Sequence, residues 1–330
     1  MSSHTNEKRS LKIWNTFEQQ LNILQSRGLV IEDFERSKHY LSCIGYYRLS
    51  GYWYPFRLPI SHKKRDDFFV ENTCFNDVLN IYQFDKKLRL ICLDALERIE
   101  MAIRTEVAYL LGRSDPQAHL YGKFLDGDFT RYDKRLGKSK HEIWLERYHQ
   151  QIKRSKKQAL IQHHLQYYKG IPIWVAVEVI DFGSISILYS GLKYKHRQQI
   201  AEKYETSEDV FTSWIHSLNI VRNICAHHSR LWNTNIPKPA KKSKDIKPWH
   251  DLDRRKIFFY LCLMKHFLSI INPRATWDKR VELLLLNFPI VANEAISEED
   301  MGLKSWEDWN LYSIETKEDR HISYRDMLSK

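Results

Sequence analysis

The chain has 330 residues and a mass of 39.7 kDa, room for one large or two ordinary domains. Hydrophobic residues at 43% and aromatics at 13% exclude global disorder. Glycine is scarce, eleven residues against a usual share of ~7%, and the closest pair, Gly122 and Gly127, is five apart. That excludes the glycine-rich phosphate loops of dinucleotide and nucleoside-triphosphate enzymes. It also disfavours a turn-rich β-sandwich and leaves an all-α, or mainly α, chain as the expectation.

Met1–Ser10 is polar and lacks the apolar centre of a secretion signal. The longest apolar run, Ile257–Met264, is far below the ~18 residues that span a bilayer. The expectation is a cytoplasmic chain with no membrane partner. Cys43, Cys74, Cys92, Cys225 and Cys262 show no CxxC spacing and read as reduced thiols. Net charge is +11, and its distribution is uneven. Arg131–Gly170 holds eleven Lys/Arg against Asp133, Glu142 and Glu146, and Lys238–Lys256 holds eight against three acids. Asn293–Lys330 reverses the sign, with ten acids and five bases. One basic block alone reads as a solvated helix face; two in a protein of pI about 9.2 point to a polyanion such as nucleic acid.

In chain order, Leu11, Trp14, Phe17, Leu21 and Leu24 predict a helix over 11–27, closed by Gly28. A second helix is expected from Ile31 to Ile44, ending at Gly45. Six aromatics crowd Tyr46–Phe56. They offer base stacking, with Arg48 and Arg57 for phosphates, but packing of the N-terminal helices explains so many adjacent rings better. A polar stretch, Ser61–Asp67, reads as a separator. Asp77–Leu111 carries the longest helical pattern, with Ile81, Phe84, Leu88, Ile91, Ala95, Ile99 and Ala102 on one stripe. Glu100 and Arg104, four apart on it, can pair, and with Glu97 they form either an internal ion network or support for a site.

Gly112–Gly137 reads as loop, followed by the basic block as a pair of surface helices containing Lys153, Arg154, Lys156 and Lys157. A helix is expected from Ile171 to about Ile180, broken by Phe182-Gly183-Ser184. Ser184–Leu192 is short and apolar, and Lys193–Tyr204 is amphipathic. Ser207 is placed to cap a helix carrying Val210, Trp214, Leu218, Val221 and Cys225. Asn233–Trp249 reads as loop and Ile257–Ile271 as a buried helix.

The informative stretch is Arg222-Asn223-Ile224-Cys225-Ala226-His227-His228-Ser229-Arg230-Leu231-Trp232-Asn233. Arg222 and His227 are separated by four residues at a helix end, hence about 140° apart around its axis, whereas Asn223 and His227 share a row. The pair suits RNA cleavage without metal. An imidazole with an ordinary pKa near 6.5 can take the proton of a ribose 2′-OH, and a guanidinium can stabilise the crowded phosphate that follows. By itself an R-x4-H pattern is common, and a helical histidine is usually structural; His228 fits a core histidine beside a free His227. Arg230 suits either phosphate binding or a helix C-terminal cap. The Cys225–His228 cluster fans around one helix without companion ligands, which argues against zinc.

The Arg222–Asn233 run resembles the signature of the abortive-infection D/F family of bacterial phage-defence proteins, within the HEPN superfamily of helical RNA-processing domains. Three other segments are similar to that family, in its order: Ile44–Phe56; Phe84-Asp-Lys-Lys-Leu-Arg89 with Glu97–Arg104; and Pro172-x-Trp174 with Glu178 and Phe182-Gly-Ser184. The resemblance spans about residues 11–275. It implies a HEPN-type helical bundle with an N-terminal helical extension, Arg222 and His227 as ribonuclease residues, and homodimerisation that joins two motifs. It also implies association with a small noncoding RNA. No cofactor or metal is expected.

The resulting expectation is a metal-independent endoribonuclease of phage defence with RNA as partner. Arg222 and His227 are its catalytic residues, supported by Asn223, His228, Arg230, Glu97, Glu100 and Arg104, with Lys153, Arg154, Lys156 and Lys157 on RNA. A non-cleaving RNA-binding module, or an interaction scaffold with solvated basic faces, is the alternative. The expected organisation is an N-terminal segment over 1–75, a bundle over 76–275 with a basic insertion at about 113–170, and an acidic extension over 276–330.

Overall fold

Helical periodicity dominates the sequence, and the computed structural model is mainly α-helical. It describes residues 11–61, 64–244, 246–305 and 309. Among these lie thirteen α-helices and two two-stranded antiparallel sheets. Met1–Ser10 and most of the acidic C-terminal run lie outside the described residues. The chain divides into two units, Met1–Asp85 with Phe288–Ser297, and Lys86–Asn287 with Glu298–Lys330.

In the first unit, helix α1 (Phe17–Ser26) begins later than the apolar spacing from Leu11 predicts. Thr16 and Gln19 close a capping box there, and Leu11, Ile13 and Trp14 stay exposed. Helix α2 (Phe34–Ile44) likewise starts after the predicted Ile31, because the Asp33 side chain accepts from the Arg36 amide (3.0 Å). It stops at Gly45, whose φ of 91° is a left-handed value that suits glycine. Helix α3 (Tyr46–Trp53) carries the aromatic run. Tyr52, Trp53 and Phe56 are buried, and the Tyr52 hydroxyl donates to Asp85 (2.6 Å), so most of this cluster packs.

The polar stretch at 61–67 is no separator. Its described residues belong to a hairpin of β1 (Arg57–Ser61) and β2 (Lys64–Phe69), in which Arg57 donates to Asp67 (2.9 Å). That ion pair occupies one of the two arginines considered for phosphate. Helix α4 (Phe75–Gly112) opens in this unit, where Phe84 meets Phe288 edge-on (5.0 Å between centroids).

From Lys86 onward α4 belongs to the second unit and buries Leu88, Ile91, Ala95 and Ile99, the predicted stripe. The following segment is largely irregular, with helix α5 (Gly127–Thr130) and a hairpin of β3 (Tyr132–Asp133) and β4 (Lys138–Ser139). The basic block then forms the expected pair, α6 (Lys140–Arg154) and α7 (Ala159–Tyr167). A Ser139/Glu142 capping box starts α6, which buries Trp144, Tyr148 and Ile152 on one face.

The predicted helix over 171–180 shrinks to α8 (Ile173–Ala176), and Phe182-Gly183-Ser184 starts a helix instead of breaking one. Asp181 accepts from the Ser184 amide (2.7 Å) and caps α9 (Phe182–Ser190). A β-carbon at Gly183 would lie 3.2–3.3 Å from Asp181, Arg147 and Asn219, so glycine lets this turn approach α6 and the Asn219 helix. Helix α10 (Tyr194–Lys203) precedes α11 (Glu208–Ala226). The Ser207 hydroxyl makes no cap bond to α11; Glu208 and Asp209 complement its N-terminal dipole. Helix α12 (Ile257–Ile271) is buried continuously from Ile257 to Leu268, Lys265 and His266 included. Helix α13 (Trp277–Leu286) docks through Trp277, whose indole donates to the Ile91 carbonyl (2.8 Å). Among the described residues no helix is long and apolar enough to cross a membrane.

Candidate functional site

Helix α11 is fixed by Phe211, Trp214, Ile215, Leu218, Val221 and Cys225, all buried. This face sets the angular position of Arg222, whose side chain remains one-third exposed. Arg222 Nη1 donates to Asn223 Oδ1 (3.2 Å). The helix then closes through a Schellman arrangement. The His228 amide donates to the Cys225 carbonyl (3.0 Å), and the Ser229 amide donates to the Ile224 carbonyl (3.0 Å). His227 is the cap residue, its amide still donating to the Asn223 carbonyl (2.9 Å), and its imidazole is exposed.

His228 occupies the left-handed position, φ 56°, where glycine is usual. It is exposed, which corrects the core role expected for it: a residue that turns the chain out of a helix end leaves the buried face. Arg230 is half-buried in the segment beyond the cap.

Beside Arg222 lies an ion network. Glu100 on α4, only 8% exposed, pairs closely with Arg104 and reaches Arg222 Nε at 3.7 Å. Arg104 also donates to the Ile180 carbonyl (2.9 Å). Burial pushes the Glu100 carboxyl above its ordinary range, against the pull of Arg104 and Arg222. Asp181 behaves oppositely. Burial acts to raise it, but hydrogen bonds from Arg147 (2.7 Å) and the Ser184 amide leave it below its ordinary value, and Gln151 also donates to it (2.7 Å).

These groups wall a cleft of about 360 Å³ containing Arg104, Arg154 and Arg222 together with Gln151, Glu178 and Asp181. The fold thus brings Arg222 together with Glu100 and Arg104, and with Arg154 from the basic block. His227 stands outside the cleft wall, and Glu97 is exposed and outside the network. Elsewhere in the basic block, Arg131, Arg135, Lys138 and Arg147 are paired with acids. Lys153, Arg154, Lys156 and Lys157 are exposed and make no ion pair among the described residues. Uncompensated charge therefore collects at the end of α6, beside the cleft.

Arg147, Gln151 and Asp181 carry no signal in the sequence that marks them as neighbours of Arg222. Arg147 and Gln151 are four apart on one helix face, but nothing local shows that this face meets the α9 cap. Among the described residues no group of three or more His, Cys, Asp or Glu is placed to hold a metal ion.

The fold and site define a helical protein with an arginine-lined cleft at the end of one amphipathic helix. The family model described as Abi-like protein matches residues 39–233, more than half of the chain and inclusive of α11 and its cap, and the chain belongs to that family. Membership suggests a role in abortive infection, a defence against phage. No curated protein and no solved structure matches the chain.

Proposed function

We propose that this protein is a HEPN-type endoribonuclease of the abortive-infection response, cutting RNA by attack of a ribose 2′-OH on the adjacent phosphodiester. One observation carries the reading: Arg222 shares a cleft with Arg104 and Arg154 while the exposed imidazole of His227 sits at the end of the same helix. In this scheme His227 takes the 2′-OH proton. The oxygen then forms a bond to phosphorus as the bond to the 5′-oxygen breaks; that oxygen takes up a proton from water, His227 later gives its proton back to solvent, and a 2′,3′-cyclic phosphate and a 5′-hydroxyl result. Arg222, held by Glu100 and Asn223, stabilises charge on the phosphate. The nucleophile belongs to the substrate, so the route needs no activated water.

His227 lies outside the wall of the cleft, and this motivates the second element of the proposal. A homodimer in which two α11 ends face each other supplies His227 of one protomer to a phosphate held near Arg222 of its partner, an isologous arrangement. Exposed Lys153, Lys156 and Lys157 then add affinity without sequence choice, and a bound noncoding RNA serves as regulator. The same position of His227 favours, as a second reading, an RNA-binding module that does not cleave.

Alanine substitution separates the two readings. Arg222→Ala and His227→Ala are each expected to abolish cleavage while the helical circular dichroism stays unchanged, and chelation by EDTA leaves the parent active. Full cleavage by the folded double variant would remove Arg222 and His227 from the mechanism. RNA binding by the parent without any cleavage would leave the binding module.

A further inference from the structure

The arginine cleft does not end at Glu178. On the other side of that residue a second hollow, of about 400 Å³, opens along the same stretch of α4. Its walls include Ala108, Tyr109 and Gly112 from α4, Arg113 just beyond its end, and Trp174 and Val177 from the α8 segment. Trp174 is 51% exposed although its neighbours Ile173, Val175 and Ala176 are buried, and Tyr109 is 63% exposed. Gly112 holds the indole close, since a β-carbon there would lie 3.2 Å from the ring. The ring is thus braced on one side and open to solvent over half its surface.

Charge flanks the hollow. The Arg113 guanidinium lies 5.9 Å from the centre of the Tyr109 ring, and Arg113, Lys193 and Lys195 together hold the half-buried His196 below its ordinary value, after burial itself. From Arg104 to Tyr109 is five residues, about 7.5 Å along the axis of α4, a span on the scale of one nucleotide. Glu178, exposed at the junction, can accept from the exocyclic amino group of a base. An aromatic platform, a base-edge acceptor and guanidinia at both ends match a single strand with an unpaired base, whose face needs stacking and whose phosphates need cations. A fully paired base has both faces covered and gains nothing from the indole.

We propose that the groove from Trp174 and Tyr109 to Arg104 and Arg222 binds single-stranded RNA, with one unpaired base stacked on Trp174 and its neighbouring phosphates on Arg113 and on the arginine cleft. This deepens the ribonuclease reading and rests on it. The site selects for an unpaired nucleotide next to the phosphate held by Arg222, so the protein cuts loops, bulges and ends in preference to duplex.

The test is binding, by fluorescence anisotropy, of a labelled unstructured RNA oligonucleotide and of the same strand fully paired. It uses full-length His227→Ala protein, so that the probe survives. Trp174→Ala and Tyr109→Ala are each expected to weaken single-strand binding by about tenfold or more, Trp174→Phe to restore most of it, and duplex binding to change little. Tyr109, being mostly solvent-exposed, decides the matter if Trp174→Ala fails to fold. Unchanged single-strand affinity in both alanine variants, with a parent that cleaves RNA, overturns the stacking site and leaves the ribonuclease reading standing. A parent that neither binds nor cleaves RNA overturns both. Light scattering in which Trp174→Ala splits a dimer while RNA affinity holds assigns the platform to a second copy of the chain and overturns the proposal.

Discussion

Replacing Glu100 by glutamine and by alanine separates the two things this carboxylate does. Its ion pairs with Arg104 and Arg222 favour the charged form, but burial outweighs them, so the folded protein holds the proton more readily than the unfolded chain. The sign follows. Its folded value lies above its unfolded one, so the charged form detracts from stability at neutral pH, and that loss fades as pH falls through the folded value. Glutamine keeps the shape and one acceptor while shedding the desolvated charge, and should change stability by less than about 1 kcal/mol.

Alanine removes both acceptors and leaves the largely buried Arg104 and the one-third-exposed Arg222 without their shared partner. The cost should be about 3 kcal/mol, or roughly 6–12 °C in melting temperature for a domain of this size. Both variants should loosen Arg222, and on the proposed mechanism a displaced phosphate clamp should cost about 100-fold in cleavage rate. Thermal melts and initial cleavage rates on the two proteins give the answer. Glutamine as destabilising as alanine would show that the charge itself holds the fold; an alanine variant with parental melting and rate would show that the network positions nothing.

Three further outcomes follow from the same geometry. His119 is fully buried, with neither ring nitrogen hydrogen-bonded, and burial first, then His141, pushes it down to about 3. The unfolded chain takes up that proton below about pH 6.5 and the folded one does not, so stability should drop by about 2 kcal/mol between pH 7 and pH 5 and the slope should shrink in His119→Leu, as denaturant titrations can check. Neutralising Lys153, Arg154, Lys156 and Lys157 together should reduce the salt dependence of RNA binding by up to about 2.8 in log–log slope; an unchanged slope would show that they only face water. His228→Gly should raise stability by about 1 kcal/mol by relieving the left-handed backbone, and a lower melting temperature would mean that the imidazole holds the cap.

Much of the fold was legible because it depends on local periodicity. The buried helix at Ile257–Ile271, the stripe of α4, the Glu100–Arg104 pair and the two helices of the basic block were all readable from residue spacing. Helix starts were misread where a capping side chain outranked apolar spacing, at Thr16, Asp33 and Asp181. The third of these turned an expected break into the first turn of α9. Of the candidate site, Arg222, Glu100 and Arg104 were named from sequence, but the cleft was not. It depends on α6 meeting the α9 cap, which carries Arg154 to Arg222 across a long stretch of chain. Glu97 lies outside the ion network for a simple angular reason: three residues before Glu100 it sits about 60° around the helix, enough to leave it in solvent.

The most direct test of the central claim is the chemistry of the cut ends. RNA incubated with the purified protein should yield fragments bearing 2′,3′-cyclic phosphate and 5′-hydroxyl groups, and a substrate with a single 2′-deoxy nucleotide at the cleavage position should resist cutting there. Fragments with 5′-phosphate ends, or cleavage at the deoxy position, would contradict attack by the 2′-OH and with it the roles given to His227 and Arg222.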